Sequence, residues 1–181
     1  HEYMPEKLQQ DLSVLAELPI GTVALDKVSE LPSVDWLVLD DLNDAIAILG
    51  NGKTSLSNTL VIQIKNTFNA THERQPNFAE ASHWAARNGF RFYSVKEIRY
   101  LSHTQNKISF TESADASELI SANIIYVPSH DRIKNLSNNK LIQLAFILKS
   151  IYGMNDYPEK ILSMISADIA HKFSIANSSK K

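Results

Sequence analysis

Val34-Asp35-Trp36-Leu37-Val38-Leu39-Asp40-Asp41-Leu42-Asn43-Asp44-Ala45 joins an apolar run of strand type to a helix pattern through two adjacent carboxylates. In an α/β fold such a junction lies at the carboxyl end of a buried strand, where open sheets bind their ligands. Asp40 and Asp41 therefore carry two readings. Together they form an acidic pair that can act as a base or hold Mg²⁺. Alternatively, one of them caps the following helix, because a carboxylate there accepts orphan N–H groups and complements the helix dipole. The strength of that preference favours the cap for at least one of them.

The pattern on either side is that of alternating strands and helices. Pro5 to Leu18 reads as a helix with Leu8, Leu12 and Leu15 on one face, and Thr22 to Leu25 as a short strand. After the opening stretch, a short helix from about Asp41 places Leu42, Ile46 and Leu49 on its buried stripe, with Gly50 near its end. Thr59 to Ile64 is nearly apolar on both faces, as a central strand covered by helices must be. A polar loop, Asn66 to Gln75, leads to Pro76 and a helix bearing Phe78, Ala81 and Ala85, which Gly89 ends. Phe90 to Val95 and Ile124 to Val127 are further strands, the second stopped by Pro128, with a loop over Asn106 to Ser117. Two helices close the chain, one from about Asn138 to Tyr152 and one from Asp156. Their apolar residues Leu141, Leu148, Ile161 and Ile165 are read as packing inward on the sheet rather than docking a partner.

The expected fold class is α/β: a mixed sheet resembling the second half of a doubly wound fold, helices on its faces, and a C-terminal helical pair. By residue number this gives an N-terminal helix over 1–19, an α/β domain over 20–135, the helical pair over 136–176 and a disordered tail over 177–181.

Composition narrows the function. A chain of 181 residues with 44% hydrophobic and 21% charged residues can bury a real core. A net charge of -2 gives no long-range field for nucleic acid or anionic lipid, so neither is expected as a partner. Cysteine is absent, which removes thiolate chemistry and disulfides. No apolar segment is long enough to span a bilayer and no signal peptide is visible, so a cytoplasmic domain is expected. The chain opens with His1-Glu2-Tyr3-Met4 rather than with Met, as expected either of a fragment or of a chain that carries a tag residue.

Three motifs bear on chemistry. Gly50-Asn51-Gly52-Lys53-Thr54 ends like a phosphate-binding loop, but Ala47 stands where the first glycine is needed, and a helix rather than a strand precedes it. It reads as a turn. A dinucleotide or S-adenosylmethionine site needs a glycine-rich turn after a strand, and five glycines supply none. Thr71-His72-Glu73-Arg74-Gln75 gathers an imidazole, a carboxylate, a guanidinium and an amide on a loop at the sheet's carboxyl edge. These suit a sugar or an anionic acceptor, or else form a solvated loop with a Glu–Arg pair. His83 and Trp84 follow on the next helix, where the indole is expected to pack on the sheet. The six histidines show no metal-ligand spacing, so no metal is expected.

The order and spacing of Thr22 to Asp26, Val34 to Gly52, Leu60 to Ile64, Gln75-Pro76 with Phe78-Ala79-Glu80, and Gly89 to Tyr93 resemble the C-terminal half of FkbM-family methyltransferases. The segment Ala122 to Ile165 is similar to the tail of some bacterial members. The resemblance implies an S-adenosylmethionine-dependent O-methyltransferase acting on small natural products or sugars. The family's hallmark resembles Lys-Ile-Asp-Val-Glu-Gly-Ala-Glu. Laid on this chain, Asp40 matches its Asp, while Val38, Leu42, Asn43 and Ala45 replace its Lys, first Glu, Gly and second Glu. An apolar side chain transfers no proton and stabilises no oxyanion.

The resemblance thus implies a degenerate, non-catalytic domain that serves a larger bacterial protein as a binding or scaffold module, in glycan or glycoprotein modification. No cofactor is expected for this chain alone. Its partners are an upstream domain or another protein, and a sugar-type acceptor. The alternative is the acceptor-binding half of an active methyltransferase that receives S-adenosylmethionine from an upstream half. In that case Asp40 and His72 are catalytic, and Asp41, Glu73, Arg74 and Gln75 bind substrate.

Overall fold

The two strongly apolar stretches become β1 (Trp36–Leu39) and β2 (Val61–Thr67), which pair in parallel with Trp36 opposite Val61 and Leu39 opposite Ile64. The computed structural model describes residues 21–40, 44–68, 77–102, 109–111 and 118–178. The expected helix over Pro5 to Leu18 lies outside them, as do Asp41, Leu42 and Asn43.

Between the two strands runs α1 (Ala45–Gly50), and α2 (Phe78–Arg87) follows β2. Then come β3 (Phe90–Ser102), the short β4 (Ser109–Thr111) and β5 (Glu118–Pro128). Four helices end the chain: α3 (His130–Lys134), α4 (Asn138–Ser150), α5 (Asp156–Ser163) and α6 (Ala167–Ser178). The five strands lie in the order β1-β2-β5-β3-β4. β5 runs antiparallel to both β2 and β3, so β1, β2 and β3 share one direction.

The period-2 alternation of side chains builds a core on each face. Ile62 and Ile64 of β2, with Ala122, Ile124 and Tyr126 of β5, pack against Ala45 and Leu49 of α1 and Ala81 and Ala85 of α2. Val61, Ile125 and Val127 point the other way. They meet Leu141, Leu144 and Leu148 of α4, Ile161 and Leu162 of α5 and Ala170 of α6. The result is an α/β/α sandwich around a mixed sheet, the α/β class expected. Leu141, Leu148 and Ile161 are buried as the helical spacing predicts.

Several local expectations need correction. Thr22 to Leu25 is not a strand. Leu25–Lys27 forms a single 3₁₀ turn, because the Asp26 carboxylate accepts hydrogen bonds from the backbone N–H groups of Thr54 (3.0 Å) and Ser55 (2.7 Å). The helix after β1 begins at Ala45 and is capped by Asp44, whose Oδ1 accepts from Ala47 N–H at 3.0 Å. Asp40 is therefore not its cap. A short α3 precedes the closing helices and the second of these divides into α5 and α6, so four helices stand where two were expected. Asn177 and Ser178 belong to α6 rather than to a loose tail.

Gly89 follows the C-cap of α2 with φ +74°, the left-handed conformation its position predicts.

Candidate functional site

The face that carries α4 to α6 changes character along the strands. At one end it presents Val61, Ile125 and Val127 to the helices. Two residues further along each chain it presents Gln63, Lys65 and Asn123, which the parallel and antiparallel registers bring side by side. A hydrogen-bonded chain marks the boundary. Trp36 Nε1–H donates to Tyr152 Oη at 2.9 Å, and Tyr152 O–H donates to Gln63 Oε1 at 2.9 Å. Trp36 and Tyr152 also meet edge to face at 6.4 Å. Burial pushes the Tyr152 phenol above its usual range, and the Trp36 hydrogen bond opposes this. Nearby, Lys140 of α4 pairs with Asp35 just before β1, so the helical layer holds the first strand at two points.

Beyond that boundary, among the described residues, no helix covers this face, and the sheet forms a hollow of about 190 Å³. Its polar lining is Asp40, Gln63, Lys65, Glu97, Arg99 and Asn123, with Val38 and Leu39 as the apolar wall. Continuing the β1–β2 register by one step sets Asp40 beside Lys65. Lys65 is opposite Asn123, and Asn123 Nδ2 donates to Glu97 Oε2 at 2.7 Å. Asn123 is only 7% exposed, so this bond anchors the carboxylate to the sheet.

Glu97 reaches that place through a bulge. The three-residue step from Lys96 to Arg99 lies opposite the two-residue step from Asn123 to Ser121, and Glu97 takes a φ of +50°. A non-glycine residue in that region costs of order 1–3 kcal/mol and persists where the surroundings fix it. Across β1, β2, β5 and β3 the hollow carries a row of Asp40, Lys65, Asn123 and Glu97, with Arg99 two residues further along β3, and these formal charges cancel. Carboxylates accept from hydroxyl groups, while Lys and Arg donate to them. The row thus offers both kinds of partner on a rigid floor with no net charge.

Of the catalytic and substrate-binding candidates read from the sequence, Asp40 is the one the described residues place in this hollow. Asp41, His72, Glu73, Arg74 and Gln75 lie outside the described residues. His83 is exposed on α2, and Trp84 is half-buried and stacks on Phe90 at 6.0 Å, against the sheet as expected. Lys65, Glu97, Arg99 and Asn123 were not foreseen. Their signal was present in part, since Gln63 and Lys65 break one face of an otherwise apolar strand and Asn123 interrupts an apolar run.

The Gly-Lys-Thr turn has a physical account too. Its converging N–H groups form a cradle for an anion, and the protein's own Asp26 fills it. Those two backbone bonds hold the Asp26 carboxyl below its ordinary value. A Cβ on Gly52 would meet Leu25 Cδ2 at 2.8 Å and Ile48 O at 3.0 Å, so the turn is closed around a packed floor.

Among the described residues, none forms the glycine-rich turn after a strand that S-adenosylmethionine needs. The described glycines with positive φ, Gly89 and Gly153, follow helices, not strands. The hollow at Asp40 is also smaller than the ~300–1,000 Å³ of sites that enclose drug-sized ligands. Among the described residues, no group of three or more His, Asp or Glu is placed to hold a metal ion, and no helix is long and apolar enough to cross a membrane. Comparison with protein-family models, with curated proteins and with solved structures returned no match.

Proposed function

We propose that this chain is an FkbM-like half-fold whose methyl-transfer chemistry has been lost, and that it serves as a binding module for a small, neutral, hydroxylated ligand of sugar type. The observation that carries the reading is the charge-balanced row Asp40–Lys65–Asn123–Glu97–Arg99 at the carboxyl ends of β1 and β2. A doubly wound sheet binds its ligands in that place. A net anion would meet two carboxylates there and a net cation would meet Lys65 and Arg99. A neutral polyol satisfies both sets.

The strand order supports the half-fold. β1, β2 and β3 step outward in one direction through helical connections, as the second half of a doubly wound sheet does, with β5 inserted between β2 and β3. Val38, which replaces the hallmark lysine, is 45% exposed at the rim and offers no proton. A titration with N-acetylglucosamine, followed by amide chemical shifts, tests the reading. Saturable shifts at Asp40, Lys65, Glu97 and Asn123 that disappear in Arg99→Gln support it. Shifts scattered over the surface, or none at millimolar sugar, contradict it.

One observation favours the alternative, an acceptor half that works with an upstream cofactor half. Among the described residues the outer edge of β1 pairs with no strand, although Leu37 and Leu39 give it the composition of an interior strand. Under that reading, methyl transfer by a longer polypeptide would be lost in Asp40→Asn.

A further inference from the structure

A second hollow, of about 160 Å³, lies at the opposite end of the sheet, between α2, α3 and the turn before β2. Lys53, Ser57, Trp84, Asn88, Phe90 and Arg132 line it, and among the described residues no carboxylate does. Its floor is the Arg132 guanidinium, 4.3 Å above the Phe90 ring. Nη2 donates to the carbonyls of Ser57 and Thr59 at 2.7 Å each, and Nη1 donates to that of Asn88 at 3.5 Å. A guanidinium has five N–H donors, so these contacts leave two. They also leave the charge uncompensated, because carbonyl oxygens orient a cation without neutralising it. Burial pushes this guanidinium below its ordinary value. Lys53 adds a second positive charge at the exposed rim. Trp84, stacked on Phe90, supplies a flat wall.

We infer that this hollow is a second ligand site, one that takes a small oxyanion, phosphate or carboxylate, carried on a flat ring. Arg132 and Lys53 bind the oxyanion through charge-assisted hydrogen bonds, and the ring lies against Trp84. The volume admits one ring and its anionic group, well short of a dinucleotide. The three carbonyl bonds fix Arg132 in place before any ligand arrives, so little ordering entropy opposes binding. The site is independent of the hollow at Asp40: it shares no residue with it and is cationic where that one is charge-balanced.

The test is a titration of the whole chain with phenyl phosphate, read by amide shifts and by Trp84 fluorescence in a Trp36→Phe background, which removes the other tryptophan. The expected result is saturable change confined to residues 53–57, 84–90 and 132, weakened by added salt. Lys53 makes no structural bond among the described residues, so Lys53→Glu leaves the fold intact. It should weaken binding by about tenfold or more, the loss of one charge-assisted contact. Benzoate in a parallel titration separates carboxylate from phosphate as the preferred group. No saturable change with either probe, or equal affinity in the wild type and Lys53→Glu, overturns the inference.

Discussion

The apolar and polar halves of one sheet face are built from the same two strands. In β2, Val61 is buried under α4 and α5, whereas Lys65, on the same side four residues on, lines an open hollow. In β5, Val127 and Ile125 lie under the helices, whereas Asn123 anchors Glu97. The β2–β5 ladder is continuous through both halves, so in these two strands the difference lies in which side chains alternate outward and where the helices stop. A rigid, well-packed half thereby fixes the positions of polar groups in the other half, which itself needs to contribute little to stability.

The largest effect should come from breaking the covered half. Leu148 is fully buried in the helical layer, and Leu148→Ala should cost about 2–5 kcal/mol in urea unfolding through lost burial and the cavity left behind. A cost below about 1 kcal/mol would mean that α4 does not pack on the sheet as described. Next comes the boundary. Tyr152→Phe removes both bonds of the Trp36–Tyr152–Gln63 chain while keeping the ring. Because Trp36 is 40% exposed and water can replace its partner, the expected loss is about 1 kcal/mol.

The open half should respond in the opposite way. Arg99 is exposed, and Arg99→Gln should change stability by less than about 0.5 kcal/mol while abolishing the sugar-induced shifts. A large stability loss there would collapse the division between a half that holds the fold and a half that binds.

The smallest effect is pH-dependent and concerns the filled anion cradle. Asp26 has a folded-state pKa below its ordinary 3.8, so its stabilisation is present above that value and is lost as pH falls through the lowered folded pKa. The urea midpoint of Asp26→Asn should therefore lie below that of the wild type at neutral pH. The gap should close as pH is taken below 3.8. A gap that persists in acid would show that Asp26 acts by shape rather than charge.

Much of the fold was legible in the sequence because it rests on local periodicity. The runs at Trp36–Leu39 and Val61–Ile64 declare strands, and the apolar spacing of Leu141, Leu144 and Leu148 declares one buried helix face. Strand order was less legible, since the return of β5 between β2 and β3 is a long-range pairing with no local mark. The Thr22 to Leu25 strand failed for a related reason. Its β-branched and apolar residues suit a strand, but a side chain–backbone contact across 28 residues, Asp26 to Thr54, decides its shape.

The candidate site was the least legible part. Asp40 was found because it ends an apolar run. Glu97 and Arg99 were hidden because only a bulge in β3 turns both toward Asn123, and bulges leave no clear sequence pattern. Arg132 was hidden because its neighbours Ser57 and Phe90 come from distant segments.

On the proposed reading, the carboxyl end of this sheet binds a small neutral ligand and no longer serves methyl transfer. Isothermal calorimetry of the chain against S-adenosylmethionine and N-acetylglucosamine tests it most directly. We expect no heat of binding for S-adenosylmethionine and a weak, saturable heat for the sugar that is lost in Arg99→Gln. Micromolar binding of S-adenosylmethionine, abolished in Asp40→Asn, would contradict the account.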